Sequence, residues 1–165
     1  MSLDDIPSGS RILLDANVLI YARRGVSVQS RRLLERCASG EVVGIVTTFV
    51  LAEYCHRRMM QEAQSRGLAA ANPAKALAEN PPSVRQLSQY AQEVEDLLAG
   101  ELETLETVAS DFTEALALQR QHGLLTNDSL LVATALRAGV NRLATADPQF
   151  DGVTGLTVFK PDDVM

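Results

Sequence analysis

Arg11-Ile12-Leu13-Leu14-Asp15-Ala16-Asn17-Val18-Leu19-Ile20 is the stretch whose reading sets the architecture. An apolar run this short, closed by an acid, suits a parallel strand covered on both faces, where hydrophobic residues need not alternate. Asn17 to Arg24 then reads as a short helix that stops before Gly25. An acid in the middle of such an apolar passage is expensive to bury without a purpose, so Asp15 is a candidate functional group from the outset.

The same alternation continues outward. Ser27 to Ser39 predicts a helix, with Val28, Leu33, Leu34 and Cys37 on one face and Gly40 as its stop. Val42 to Thr47 is β-branched and apolar, which predicts a second strand. Thr47 or Thr48 caps a helix running through Glu53 to about Gln64. Ser65 to Pro82, rich in Ala, Asn, Gly and Pro, reads as a loop or broken helical insert. Helical periodicity returns over Val84 to Leu98, with Leu87, Tyr90, Val94, Leu97 and Leu98 on one side. Leu102 to Val108 predicts an edge strand. Asp111 to Glu114 has capping-box spacing and opens a helix to about His122. A helix from Asp128 to Ala138, capped by Thr126 or Asn127, precedes two further strands, Arg142 to Thr145 and Leu156 to Phe159. Strands alternating with helices imply an α/β fold: a three-layer α/β/α sandwich around a mostly parallel sheet. Residues 1–165 are expected to form one domain, with 1–10 a flexible N-terminus and 65–100 the least legible part.

Composition narrows the function class. With 46% apolar and 22% charged residues there is material for one sizeable core. No apolar run approaches the ~20 residues that span a bilayer. The polar start, with Asp4 and Asp5, lacks the order of a secretory signal, and the two cysteines, Cys37 and Cys55, lack zinc-ligand spacing, so a cytoplasmic protein with reduced thiols is expected. The net charge of −6 argues against a nucleic-acid partner until its distribution is read. Arg11 to Arg66 holds nine arginines against five acids, whereas Glu79 to Glu114 holds nine acids against Arg85 alone. Arginine's planar fork suits phosphate.

Ligands of parallel α/β sheets bind beyond the carboxyl ends of the strands. Asp15 ends the first strand, Glu53 follows the second by about a helical turn, Asp128 opens a helix, and Asp147 follows the strand ending at Thr145. All four acids can therefore open onto one edge of the sheet. Carboxylates gathered in one cleft repel one another, and a hard divalent cation, Mg2+ or Mn2+, removes that penalty. Such an ion orients and activates water and polarises a scissile phosphate. Competing chemistry is missing. The two histidines, His56 and His122, lie on separate expected helices, and no nucleophile elbow or phosphate-cradling glycine loop occurs.

Leu13 to Ile20 and Thr47 to Glu53 resemble the first two motifs of PIN domains; Leu125 to Ala133 and Leu143 to Asp151 resemble the third and fourth. Each motif alone is weak, but all four in order, from Arg11 to about Pro161, are specific. The resemblance implies that Asp15, Glu53, Asp128 and Asp147 are the catalytic, metal-binding acids, with Glu53 reaching the metal directly or through water. It makes Asn17 and Thr145 the groups that orient those carboxylates. The small size resembles the VapC toxins of toxin–antitoxin pairs. That implies an endoribonuclease, an RNA substrate, a cognate antitoxin and a homodimer. Arg23 and Arg24, which close the helix starting beside Asp15, are the candidate RNA-binding pair.

Other readings fare worse. Glu53 and His56 have the spacing of half a di-iron site, but no second copy exists. A phosphatase would need an acid where Asn17 stands. A PIN-like module without catalysis would bind RNA or protein only, and a PIN nuclease outside toxin–antitoxin systems remains a further alternative.

Overall fold

In chain order the strands are β1 (Arg11–Leu14), β2 (Val43–Thr47), β3 (Glu103–Leu105), β4 (Arg142–Ala144) and β5 (Thr157–Phe159). They form a sheet ordered β3-β2-β1-β4-β5, with every neighbouring pair parallel. The computed structural model describes residues 1–69, 72–100 and 102–164. Ala70 and Ala71, within the expected insert, and Glu101, within the acidic stretch, lie outside the described residues.

The helices are α1 (Ala16–Arg24), α2 (Val28–Ala38), α3 (Thr48–Ser65), α4 (Pro73–Glu79), α5 (Pro81–Val84), α6 (Gln89–Ala99), α7 (Ala109–His122) and α8 (Thr126–Arg137). The chain steps from β1 to β2 to β3 in one direction, then returns past β1 to β4 and β5. Right-handed crossovers in opposite directions place their helices on opposite faces of the sheet. The reversal falls between β1 and β4, and a crevice at the carboxyl ends of the strands opens at such a point.

Burial explains why these residues form these elements. Ile12, Leu13, Leu14, Ile45 and Leu143 are fully buried in the sheet, and Leu19, Ile20, Leu33, Val132 and Ala135 pack onto it from the helices. Gly44 interrupts the β-branched run of β2 for a steric reason. A Cβ there would lie 2.6 Å from both Cys37 Sγ and Leu102 Cδ2, so only glycine lets α2 approach that closely.

Three expectations need correction. Residues 1–10 are docked: Leu3 and Ile6 are buried in the main core and Ser2 bridges Lys160 beside β5. The helix expected over Val84 to Leu98 begins only at Gln89, because the buried Glu62 carboxylate of α3 accepts from the Ser88 and Tyr90 amides and ends the preceding turn. Leu98 is exposed. Asp111 lies three residues into α7 instead of ahead of it: its carboxylate accepts from the Val108 amide at 2.9 Å, and Arg137 and Thr134 fill its other positions. The broken helical insert is α4 and α5, which hold a small separate apolar cluster of Leu77 and Leu87 against Ala63.

Candidate metal and phosphate site

Asp15 continues the sheet for one residue past β1, its amide donating to the Ala144 carbonyl at 3.0 Å, and then turns into α1. Its extended backbone frees the side chain from capping that helix. The carboxylate instead faces the end of β4. Thr145, fully buried, donates its hydroxyl to Asp15 Oδ2 at 2.6 Å. Asn17 Nδ2 donates to the same oxygen and to Thr145 Oγ1, while Asn17 Oδ1 accepts from the Ala146 amide at 3.0 Å. The Asp147 amide donates to Thr145 Oγ1 at 3.0 Å. Two chain segments 130 residues apart are thus tied together around one carboxylate oxygen.

Burial pushes the Asp15 carboxyl up to about 6 from its usual 3.8, against the lowering effect of the Thr145 hydrogen bond, with the Glu53 and Asp128 charges adding to the rise. Asp128, in the first turn of α8, is raised by burial and by the charges of Asp147 and Glu53. Asp15 therefore feels the charges of Glu53 and Asp128, and Asp128 those of Asp147 and Glu53. Glu53, on the second turn of α3, is held by Arg57 one turn on at 3.4 Å. Asp147 Oδ1 caps the short 3-10 turn Pro148–Phe150, accepting from the Gln149 amide at 2.8 Å.

Among the described residues, no three acidic, histidine or cysteine side chains already stand close enough to hold one ion in common. The donor set still fits magnesium or manganese. It is all oxygen, and magnesium keeps several of its waters and binds through one or two carboxylates.

Arg23 and Arg24 stand elsewhere. Both are exposed at the far end of α1, roughly 12 Å from its start at 1.5 Å per residue. Arg23 Nε is bound to the buried Glu93 at 3.2 Å. Sequence reasoning missed Arg57 and the buried Glu93–Arg58–Tyr54 cluster. Arg57 was legible from its four-residue spacing to Glu53. Glu93 was not, because its partners come from α3 and α1.

The sequence matches the family described as PIN domain over residues 12–156. No curated protein matches the chain. Among solved structures it is similar to VapBC2 from Rickettsia felis bound to a DNA fragment from their promoter (19% identity, TM-score 0.59, 92% of this chain and 99% of that one). It is also similar to Mycobacterium tuberculosis VapC20, a sarcin-ricin loop cleaving toxin (14% identity, TM-score 0.55, 88% and 98% covered). FitAcB from Neisseria gonorrhoeae is a further likeness (23% identity, TM-score 0.51, 91% and 97% covered). At these identities the solved structures speak for the fold.

Proposed function

The chain belongs to the PIN-domain family, and from that premise we propose that it is a metal-dependent endoribonuclease, the toxin of a type II toxin–antitoxin pair. One observation supports the reading: at the carboxyl ends of the strands, Asp15 and Asp128 are crowded by burial and by neighbouring charges, Asp15 by Glu53 and Asp128, and Asp128 by Asp147 and Glu53. The proposed metal-binding residues are Asp15 and Asp128 first, with Glu53 and Asp147 completing the set. A magnesium or manganese ion held there supplies Lewis-acid polarisation of the phosphate and a more acidic water.

The chain's own residues do the rest. Thr145 and Asn17 aim the Asp15 carboxylate and, by donating to Oδ2, leave Oδ1 for the ligand. Arg57 restrains Glu53 at the cleft edge. The Asp147 cap holds Oδ1 on its own turn and leaves Oδ2 for water or cation.

An antitoxin partner and a homodimer are part of the proposal. The similar solved structures described as VapBC and toxin–antitoxin complexes support the former. An exposed apolar stripe on α7, Phe112 and Leu116 one turn apart, supports the latter. No helix among the described residues is long and apolar enough to cross a membrane. The test is direct: purified protein is incubated with mixed RNAs plus Mg2+ or Mn2+, with and without chelator. Cleavage that the chelator stops supports the reading. RNA left intact under all conditions overturns it in favour of a non-catalytic PIN-like module.

A further inference from the structure

Two helices leave the acidic site and reach a second, differently charged place. α1 follows Asp15 and ends at Arg23 and Arg24; α3 carries Glu53 and, between one and about three turns later, Arg58, Gln61, Gln64 and Ser65. The helices pack side by side. Together with Gln89 at the start of α6 they line a polar cleft of about 520 Å³. Eight residues separate Ala16 from Arg24, and eight separate Glu53 from Gln61. Both paths are therefore roughly 12 Å at 1.5 Å per residue.

The carboxylates near this cleft are already engaged. Glu93, buried, accepts from Arg58 Nε and Nη2 at 2.6 and 2.7 Å, from Arg23 Nε at 3.2 Å and from the Tyr54 hydroxyl at 3.0 Å. Glu62 accepts from the amides of Ser88 and Tyr90 at 3.0 and 3.1 Å and from Arg66 at 3.4 Å. Arg23, Arg24, Arg58 and Arg66 against Glu62 and Glu93 leave a surplus of two positive charges. Glu93 also sets the Arg23 and Arg58 guanidiniums side by side before any ligand arrives. Gln61 accepts from Arg58 Nη1 at 2.7 Å, which points its own amide donors elsewhere.

Fastening α6 to α3 accounts for Glu93 and Arg58, and nothing more is needed for them. It does not account for Arg24 and Gln64, which are exposed on the cleft wall and make no side-chain hydrogen bond or ion pair among the described residues. Planar guanidiniums held beside free amide donors are the chemistry that recognises phosphate oxygens.

We propose that this cleft is a second phosphate-binding station for the RNA strand, which rests on the nuclease reading above and adds to it a preference for substrate length. At about 3.4 Å per stacked nucleotide, 12 Å places the held phosphate three to four nucleotides from the acids. Short fragments then reach the acids without reaching the arginines, and only longer strands engage both.

The experiment measures binding of a fluorescein-labelled twelve-nucleotide RNA by anisotropy in EDTA, for the parent, Arg24→Ala, Arg24→Glu and Gln64→Ala. Arg24 is exposed and unpaired, so equal melting temperatures certify the folds. Arg24→Glu should weaken affinity about tenfold at low salt, and Arg24→Ala should lower the salt slope by about one. In cleavage assays with Mn2+, Arg24→Glu should raise KM for the twelve-nucleotide RNA by a larger factor than for a trinucleotide. Affinity and salt slope equal to the parent in both Arg24 variants overturn the cleft while leaving the nuclease reading intact. Arg24-dependent RNA binding without metal-dependent cleavage upholds the cleft and defeats the nuclease reading. Arg24-dependent binding of labelled ATP with RNA binding unaltered makes the site one for free phosphates and overturns the strand proposal.

Discussion

Thr145 gives its hydroxyl proton to Asp15 Oδ2 at 2.6 Å, and the two residues stand at the carboxyl ends of neighbouring strands on either side of the point where strand order reverses. The bond does two things. It orients a carboxylate that is otherwise unpaired by any cation, and it opposes the burial that raises that carboxylate toward about 6.

Replacing Asp15 by Asn should abolish metal-dependent RNA cleavage and, in the same protein, raise stability. The folded-state pKa lies above the unfolded one, so this group's contribution is fully present below about pH 4 and is lost as pH rises through about 6. At about 1.4 kcal/mol per pKa unit, the ionised form removes about 3 kcal/mol at pH 7, an order-of-magnitude figure. Thermal melts from pH 4 to 8 should show parental stability falling across that window, while Asp15→Asn stays flatter and melts several degrees higher at pH 7. A melting point at pH 7 equal to or below the parent's would mean that Asp15 is not held at a cost.

Thr145→Val should lower cleavage by about 10- to 100-fold, the usual range for losing a group that orients a metal-binding carboxylate. Because the Thr145 hydrogen bond lowers the Asp15 pKa, its loss should also move the acidic limb of the pH–rate profile upward. Thr145→Ser should restore both rate and profile. A Val variant with reduced rate but an unshifted profile would reduce Thr145 to a packing role.

Added Mn2+ should raise the parent's melting temperature by mass action, since the cation binds the folded state. The combined Asp15→Asn, Glu53→Gln, Asp128→Asn and Asp147→Asn protein should show no such rise. Equal shifts in the two proteins would place the cation elsewhere.

Sedimentation of the parent should give a dimer, and Phe112→Glu with Leu116→Glu should give a folded monomer. Both side chains are about half exposed on α7, so the double change removes apolar surface from water contact without touching the core. A dimer that survives both charges is held by another face.

Much of this was legible along the chain. An apolar run followed by an acid marked β1 and Asp15, a β-branched run followed by Thr47 marked β2 and the cap of α3, and the order of strands and helices implied a parallel sheet. These are local or periodic properties, carried by neighbours three or four residues apart. The start of α6, the place of Asp111 and the docking of residues 1–10 were not legible, because each is decided by a partner far along the chain: Glu62, Arg137 and Lys160.

The sequence by itself determined the alternation of elements and pointed to the four acids as candidates, since hydrophobic period, caps and motif order are written in consecutive residues. Only the tertiary structure decided that Thr145 bonds Asp15, that Asp128 feels Asp147 and Glu53, and that Arg23 is spent on Glu93 while Arg24 is left free. The physical reason is that burial and electrostatic fields depend on distance through space, and the parallel pairing of β1 with β4 brings together residues 130 positions apart.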